Sequence, residues 1–241
     1  MDHAGMTGAE WQRVIEDMEE VGPYYERVNW LITFGLVERW RKRVASLAAP
    51  EDSVLEIGSG PGNFTKHLEC RQVYALEPSE ALLGASRKAV ENKKVTFLRG
   101  VGERIPLTDG SVDKVFCVFS FRDFFDRKTG TEEMHRVLRD GGEVVIVDMA
   151  KPPPGPLARM LGFHVKHMVP PLTRVAVPSA AKERWSRDPY RTLLDTYEAF
   201  GSTKIHEALL KGAGFSDVST EFLEMRGATM TRGKKPWKST S

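Results

Sequence analysis

One stretch does most to limit what this chain can fold into: Ser53-Val-Leu-Glu-Ile-Gly-Ser-Gly-Pro-Gly-Asn-Phe-Thr65. The short apolar run Ser53–Ile57 reads as a buried strand. It stops at Gly58, Gly60 and Gly62, and helical spacing resumes from Asn63 through Leu68. Glycines tolerate left-handed backbone and let a ligand lie against bare main chain, and a helix start offers unpaired N–H groups. A nucleotide-like ligand suits such a turn. The order is Gly-x-Gly-x-Gly, unlike the dinucleotide fingerprint, and no Gly-Lys-Ser/Thr follows, which excludes a P-loop. The next strand, Gln72-Val-Tyr-Ala-Leu-Glu77, ends in a carboxylate nineteen residues after Gly58, where an acid can accept both ribose hydroxyls. The plain alternative is a glycine turn in another α/β domain with Glu77 at the surface.

Downstream, strand and helix patterns alternate. Ala81–Val90 reads as a helix, Val95–Leu98 as a third strand, Ser111–Phe119 as a fourth, Thr129–Leu138 as a helix and Glu143–Asp148 as a fifth strand after the turn Arg139–Gly142. Such alternation predicts a parallel sheet with helices on both faces. Loops at the strands' C-terminal ends face the ligand crevice. Glu103, in the loop Gly100–Leu107, could therefore meet an adenine amino group; equally, it could be an acid stabilised by a helix start.

The flanks differ. Residues 9–49 look helical, broken by the Gly-Pro turn and dense aromatics of Gly22–Gly35, with Trp40 and the basic run Arg39–Arg43 on a following helix. The aromatics either staple this extension to the core or cap a ligand site. Lys151-Pro-Pro-Pro-Gly-Pro156 cannot continue a regular element. Residues 157–200 read as irregular helices broken by Pro170–Pro171 and Pro178, an insertion over the sheet edge. A last helix, Thr203–Lys211, precedes two strands, about Asp217–Glu224 and Met225–Thr231, and the basic tail from Arg232 is expected to fray.

Bulk properties narrow the class. At 241 residues the chain suits one elaborated domain, and a net charge of +2 does not suggest a nucleic-acid binder. Two cysteines, Cys70 and Cys117, give no metal or disulfide pattern, and Cys117 in an apolar strand reads as core. No apolar run approaches the ~20 residues of a membrane span, and the N-terminus carries no signal-peptide core. A cytoplasmic location is expected.

The residues carry two nested resemblances. Leu55–Gly62 and Glu77 resemble the first two motifs of class I S-adenosylmethionine-dependent methyltransferases. Tyr25-Glu-Arg-Val-Asn-Trp with Trp40-Arg41, Gly102–Leu107, Phe121-Arg-Asp-Phe-Phe-Asp126, Met134–Gly142 and Val147-Asp-Met-Ala-Lys-Pro152 resemble the UbiE/Coq5-type C-methyltransferases of ubiquinone and menaquinone biosynthesis. Phe163-His164-Val165 and the Tyr190…Phe200…Phe215 spacing also fit. The chain departs from that pattern at Asp123, where the family usually has Asn, and in the proline-rich run after Lys151.

The resemblance implies an α/β, Rossmann-like, seven-stranded class I methyltransferase sheet. Residues 1–50 would form a helical cap, and 51–241 the methyltransferase domain with a helical insertion about 151–200. S-adenosylmethionine would be held by Glu56, Gly58, Ser59, Gly60, Gly62, Glu77, Pro78, Gly102, Glu103 and Phe119, with no metal. Catalytic candidates are Arg122, Asp123, Tyr25 and His164. Arg122 would stabilise a phenolate, and Asp123 would serve as base or pair with Arg122. Tyr25 would hydrogen-bond quinol or cofactor, and His164 would accept a proton. The plainer readings are a structural Arg122–Asp123 ion pair, an N-cap role for Asp126, and packing for His164 and Tyr190. The acceptor implied is a lipophilic quinol, its tail on Trp30, Leu31, Phe34, Met160, Leu161, Phe163, Met168 and Val169 unless these are core. Peripheral membrane contact and a homodimer are compatible with this, whereas a nucleic-acid acceptor is disfavoured.

Overall fold

The computed structural model describes residues 25–91, 94–150, 152–169, 171–172 and 204–237, without the side chains of Tyr25 and Val28. Seven strands form one sheet: β1 (Ser53–Ile57), β2 (Gln72–Glu77), β3 (Val95–Arg99), β4 (Val112–Val118), β5 (Leu138–Met149), β6 (Ser216–Phe222) and β7 (Ala228–Lys234). Their spatial order is β3-β2-β1-β4-β5-β7-β6. β1 to β5 pair in parallel, and β7 runs antiparallel to both β5 and β6. The helices are α1 (Tyr25–Ile32), α2 (Leu36–Ala45), α3 (Glu80–Ala89), α4 (Arg127–Val137), α5 (Pro156–Phe163) and α6 (Lys204–Gly212).

Period-two alternation sorts the buried strands into two cores. Leu55, Ile57, Val115, Cys117, Val144 and Ile146 pack with Met134 and Val137 of α4 and Leu209 and Leu210 of α6. Val54, Phe116, Val145 and Val147 pack on the other face with Val37, Trp40 and Val44 of α2. This parity has a functional consequence. Glu56 shares the α2 face with Val54, and Asp148 shares the α4/α6 face with Ile146.

Several sequence expectations need correction. No helix spans Asn63–Leu68; the chain makes one 3-10 turn, Thr65–His67. Phe64 and Leu68 are buried against the sheet, and the chain must re-enter β2 at Gln72, which leaves no length for a full crossover helix. The helix-start argument for ligand binding therefore does not hold here. Gly22–Gly35 was expected to break the helical pattern, yet α1 lies inside it, and among the described residues of that stretch the break comes at the left-handed pair Phe34 and Gly35 (φ 53° and 76°). β5 begins at Leu138, and Arg139–Gly142 forms the irregularity at which its register with β4 shifts. The tail does not fray at Arg232. β7 runs to Lys234, Arg232 pairs with Glu143, and the Lys235 Nζ donates to the carbonyls of His135 and Leu138.

Among the described residues no helix is long and apolar enough to cross a membrane. Of the insertion, α5 and the π turn His164–Met168 are described. Lys151, Pro170, Pro178, Tyr190, Phe200 and Thr203, like the chain before Tyr25, lie outside the described residues.

Candidate active site

A cleft of about 1030 Å³, its open mouth included, lies at the C-terminal ends of β1, β2 and β4. This is where the strand order reverses around β1, the usual ligand position in open α/β sheets. Its walls come from the turn after β1 (Glu56–Pro61), the end of β2 (Glu77, Pro78), the loop after β3 (Gly100–Glu103) and the end of β4 (Val118–Ser120, Asp123, Phe124), together with Arg41 of α2. Of the cofactor residues expected from sequence, Gly62 alone is not in this wall.

The β1–β2 side is built by backbone hydrogen bonds. The amides of Gly58 and Ser59 donate to the Leu76 carbonyl at 2.8 and 3.1 Å. The Glu77 carboxylate accepts the Gly60 amide at 2.9 Å on one oxygen and the Ser79 amide at 3.1 Å on the other. These two main-chain bonds fix the orientation of the carboxylate at the end of β2, in the cleft wall. Gly58 has φ 72°, and a Cβ there would lie 2.4 Å from the Cβ of Ser120. Ser120 in turn donates through its hydroxyl to the Ile57 carbonyl at 2.7 Å, joining the tips of β1 and β4. Around Gly60, a Cβ would meet nothing within 4 Å, so this part of the turn faces open space.

The loop after β3 is fastened to α4. Arg136 donates to the carbonyls of Ile105 and Leu107, and Glu133 accepts the Ile105 amide. A Cβ on Gly102 would lie 2.3 Å from the Phe124 ring, so ring packing alone demands glycine. Glu103 accepts the Asp126 amide at 3.2 Å while also lining the cleft. Burial raises its carboxyl above the usual range, against the lowering effect of the Asp126 and Phe125 amides. Asp126 caps α4, accepting the amides of Lys128 and Thr129 and the Thr129 hydroxyl at 2.6 Å.

On the α2 face, Glu56 is 2% exposed and accepts the Thr65 hydroxyl at 2.6 Å. Burial pushes its carboxyl up to about 8, against that hydrogen bond and the Arg41 charge. Arg41 is itself buried, and its Nη1 donates to both oxygens of Glu26 at 2.9 and 2.8 Å. The sequence signal for Arg41 was its place in the basic run and in the Trp40-Arg41 pair; neither singled it out as a site residue.

The β4–β5 side gathers buried charged side chains on a hydrogen-bonded turn, in which the Asp123 amide donates to the Ser120 carbonyl at 3.0 Å and Arg127 donates to the Arg122 carbonyl at 2.8 Å. Phe119, at the tip of β4, adopts φ 63°, a conformation uncommon for a bulky residue, and packs its ring against Trp40. Arg122 and Asp123 follow in a 3-10 turn, Phe121–Asp123. Asp123 lines the cleft; Arg122, 8% exposed, stands behind it. The Arg122 guanidinium lies 3.6 Å from Asp123 and 3.7 Å from Asp148, both beyond hydrogen-bond length. Burial raises the Asp123 carboxyl, and the charges of Arg122 and Arg127 oppose the rise. Asp148 is fully buried, and its carboxyl is pushed up to about 7 by burial, with Arg122 opposing. His206 of α6 lies 3.9 Å from Asp148, and burial, with the Arg127 charge, lowers it to about 4. Neither Asp148 nor His206 was anticipated as part of this cluster.

Two catalytic candidates remain. Tyr25 opens α1, and its side chain is outside the described residues. His164 is not in the cleft wall: its Nε2 lies 2.9 Å from the Leu31 carbonyl, and its ring stacks on Phe34 at 3.8 Å, joining the extension to the insertion.

Antiparallel β7 set between β5 and β6, with the ligand cleft at the tips of β1, β2 and β4, is the architecture of class I methyltransferases, and the molecule is a methyltransferase of that class. An S-adenosylmethionine-dependent methyltransferase structure from Thermotoga maritima shares the fold at a TM-score of 0.60 and 23% identity, covering 91% of this chain and 98% of that one. The chain belongs to the ubiE/COQ5 methyltransferase family, whose sequence pattern matches residues 6–235. Among curated relatives, a demethylmenaquinone methyltransferase of Thermus thermophilus is 29% identical, covering 90% of this chain and 99% of the relative. A ubiquinone/menaquinone biosynthesis C-methyltransferase UbiE of Geobacter sulfurreducens is 26% identical, covering 93% and 89%.

Proposed function

We propose that the chain transfers a methyl group from S-adenosylmethionine to a ring carbon of a prenylated quinol resembling demethylmenaquinol. The observation that carries this reading is Asp123: a carboxyl raised by burial, in the wall of the cofactor cleft, with the fixed cation Arg122 directly behind it. The names of the relatives point to the same acceptor.

The cleft fits the cofactor. The Gly58–Gly62 turn faces open space at Gly60, and Glu77, oriented by the Gly60 and Ser79 amides, stands in the cleft wall where ribose hydroxyls would meet it. Glu103 lies at the adenine-side loop. When bound, S-adenosylmethionine supplies a methyl group made electrophilic by the sulfonium. The chain's own part is to position the acceptor and raise its nucleophilicity. Asp123 accepts the phenol proton, which increases electron density at the neighbouring ring carbon. Arg122, always cationic, offsets the charge that develops on oxygen. The ring carbon would form its bond to the methyl as the methyl–sulfur bond breaks, leaving the neutral thioether S-adenosylhomocysteine, and the ring C–H proton would then pass to water as aromaticity returns.

Trp30, Phe34, Met160, Phe163 and Met168 are each about half exposed or more, on the extension and insertion that His164 stitches together. Such a patch suits an isoprenoid tail and a membrane surface. The test is mass-spectrometric transfer of a labelled methyl from S-adenosylmethionine to reduced demethylmenaquinol, to its ubiquinol-pathway counterpart and to a lipid extract, each in detergent. Label on a quinol ring is the expected result. Label only on another lipid would discard the quinol, and cofactor binding with no label would favour a non-catalytic partner protein.

A further inference from the structure

We propose that Arg41, on helix α2 of the N-terminal extension, recognises the α-carboxylate of the cofactor's methionine end, with Glu56 beside it facing the α-ammonium. This deepens the cofactor reading above and rests on it. The argument begins with the length of the cleft. Glu77, Pro78 and the Gly100–Glu103 loop form one end, the end suited to ribose and adenine. An extended ligand with its nucleoside there must send its other end past the Gly58–Gly60 turn, toward Arg41, Glu56 and Phe64. That end of the wall offers one buried cation and one buried acid, the complement of a zwitterion.

Arg41 is an unusual residue to bury. It is 3% exposed, on a helix whose neighbouring basic residues Arg39, Lys42 and Arg43 all stand further into solvent. Amphipathic spacing explains the neighbours: Val37, Trp40, Val44 and Ala45 fill the core face, and Arg41 takes the one position on that face next to the cleft. A buried guanidinium is retained at a cost unless anions meet it. Glu26 meets Nη1, and Glu38 lies 3.7 Å from the same nitrogen. Nε and Nη2 make no hydrogen bond to a described residue. Glu26 thus fixes the guanidinium from one side, and the edge that no described residue engages presents two parallel donors, the fork that matches a carboxylate. Glu56, raised by burial to about 8, is held mostly neutral near pH 7 and does not compete for that fork; an ammonium beside it favours its ionised form.

The test compares two ligands that differ only in this group, S-adenosylmethionine and its decarboxylated form, by calorimetric titration of the full chain. Wild type should bind the carboxylate-bearing ligand about 10- to 100-fold more tightly, the range expected for charge-assisted hydrogen bonds. Arg41→Met should abolish the preference and leave affinity for the decarboxylated ligand within a few fold. Arg41→Lys, which keeps the charge beside Glu26 and Glu38, should retain part of it. A preference that survives in Arg41→Met, or equal weakening of both ligands, would overturn the assignment while leaving the cofactor reading intact. Wild type binding neither ligand would overturn both.

Discussion

The two halves of the cleft are built on different physics. On the β1–β2 side, main-chain amides fix the acid that matters: Glu77 is gripped by Gly60 and Ser79 at 2.9 and 3.1 Å, and Gly58 can have no side chain. On the β4–β5 side, Arg122 is suspended between Asp123 and Asp148 at 3.6 and 3.7 Å. The first half is pre-organised for an invariant ligand, and backbone bonds supply that rigidity cheaply. The second half instead gathers buried side-chain charges, Arg122 with Asp123 and Asp148, where the proposed acceptor chemistry would need a base and a cation.

The sharpest way to break this comparison is Asp123→Asn, which keeps the shape and removes the base. Its kcat should fall by about 10²–10⁴ while cofactor affinity holds, measured by labelled-methyl turnover and calorimetry. Arg122→Ala should likewise remove turnover and spare cofactor binding; full activity would move the catalytic role elsewhere. Glu77→Ala should do the reverse, weakening cofactor binding by about 10- to 100-fold; unchanged calorimetric affinity would sink the ribose assignment. Gly58→Ala should cost about 1–3 kcal/mol of stability, from its left-handed backbone and its clash with Ser120, read as a lower denaturation midpoint.

The smallest effect concerns pH. Glu56 and Asp148 have folded-state pKa values of about 8 and about 7, above their ordinary 4.5 and 3.8. The folded chain therefore binds more protons than the unfolded chain between those limits, and the stabilisation is complete below about pH 4, then lost as pH rises to about 8. Glu56→Gln should flatten that loss in denaturant titrations at pH 5 and pH 8.5. An unchanged slope would show that Glu56 ionises freely in the fold.

Much of this was legible in the sequence because strands announce themselves locally. The apolar runs Ser53–Ile57 and Ser111–Phe119 gave strands, their alternation with helical stretches gave a parallel sheet, and the glycine turn with Glu77 marked the crevice. What was missed depends on distance in the chain. Nothing local to Thr65–His67 says that a helix will run out of length before β2. Arg41 hid in a basic run, because its burial follows from the packing of α2 through Val37, Trp40 and Val44 and from its pairing with Glu26 rather than from its basic neighbours. Asp148 and His206 are 58 residues apart and meet only because β5 parity and α6 bring them together. The tail looked frayed because Arg232 and Lys235 find their partners on β5 and at the end of α4, far upstream.

That last strand has a consequence for how the chain assembles. β6 touches the sheet only through β7, so the edge strand made earlier waits for the strand made later. During vectorial synthesis the flank of β5 stays open, with its ladder of main-chain donors and acceptors unpaired, until residues 228–234 emerge. Exposed edges of this kind recruit other strands. The interval between making β5 and making β7 is therefore the chain's period of greatest risk of mispairing, and the closing strand is a lock turned from the C-terminal side.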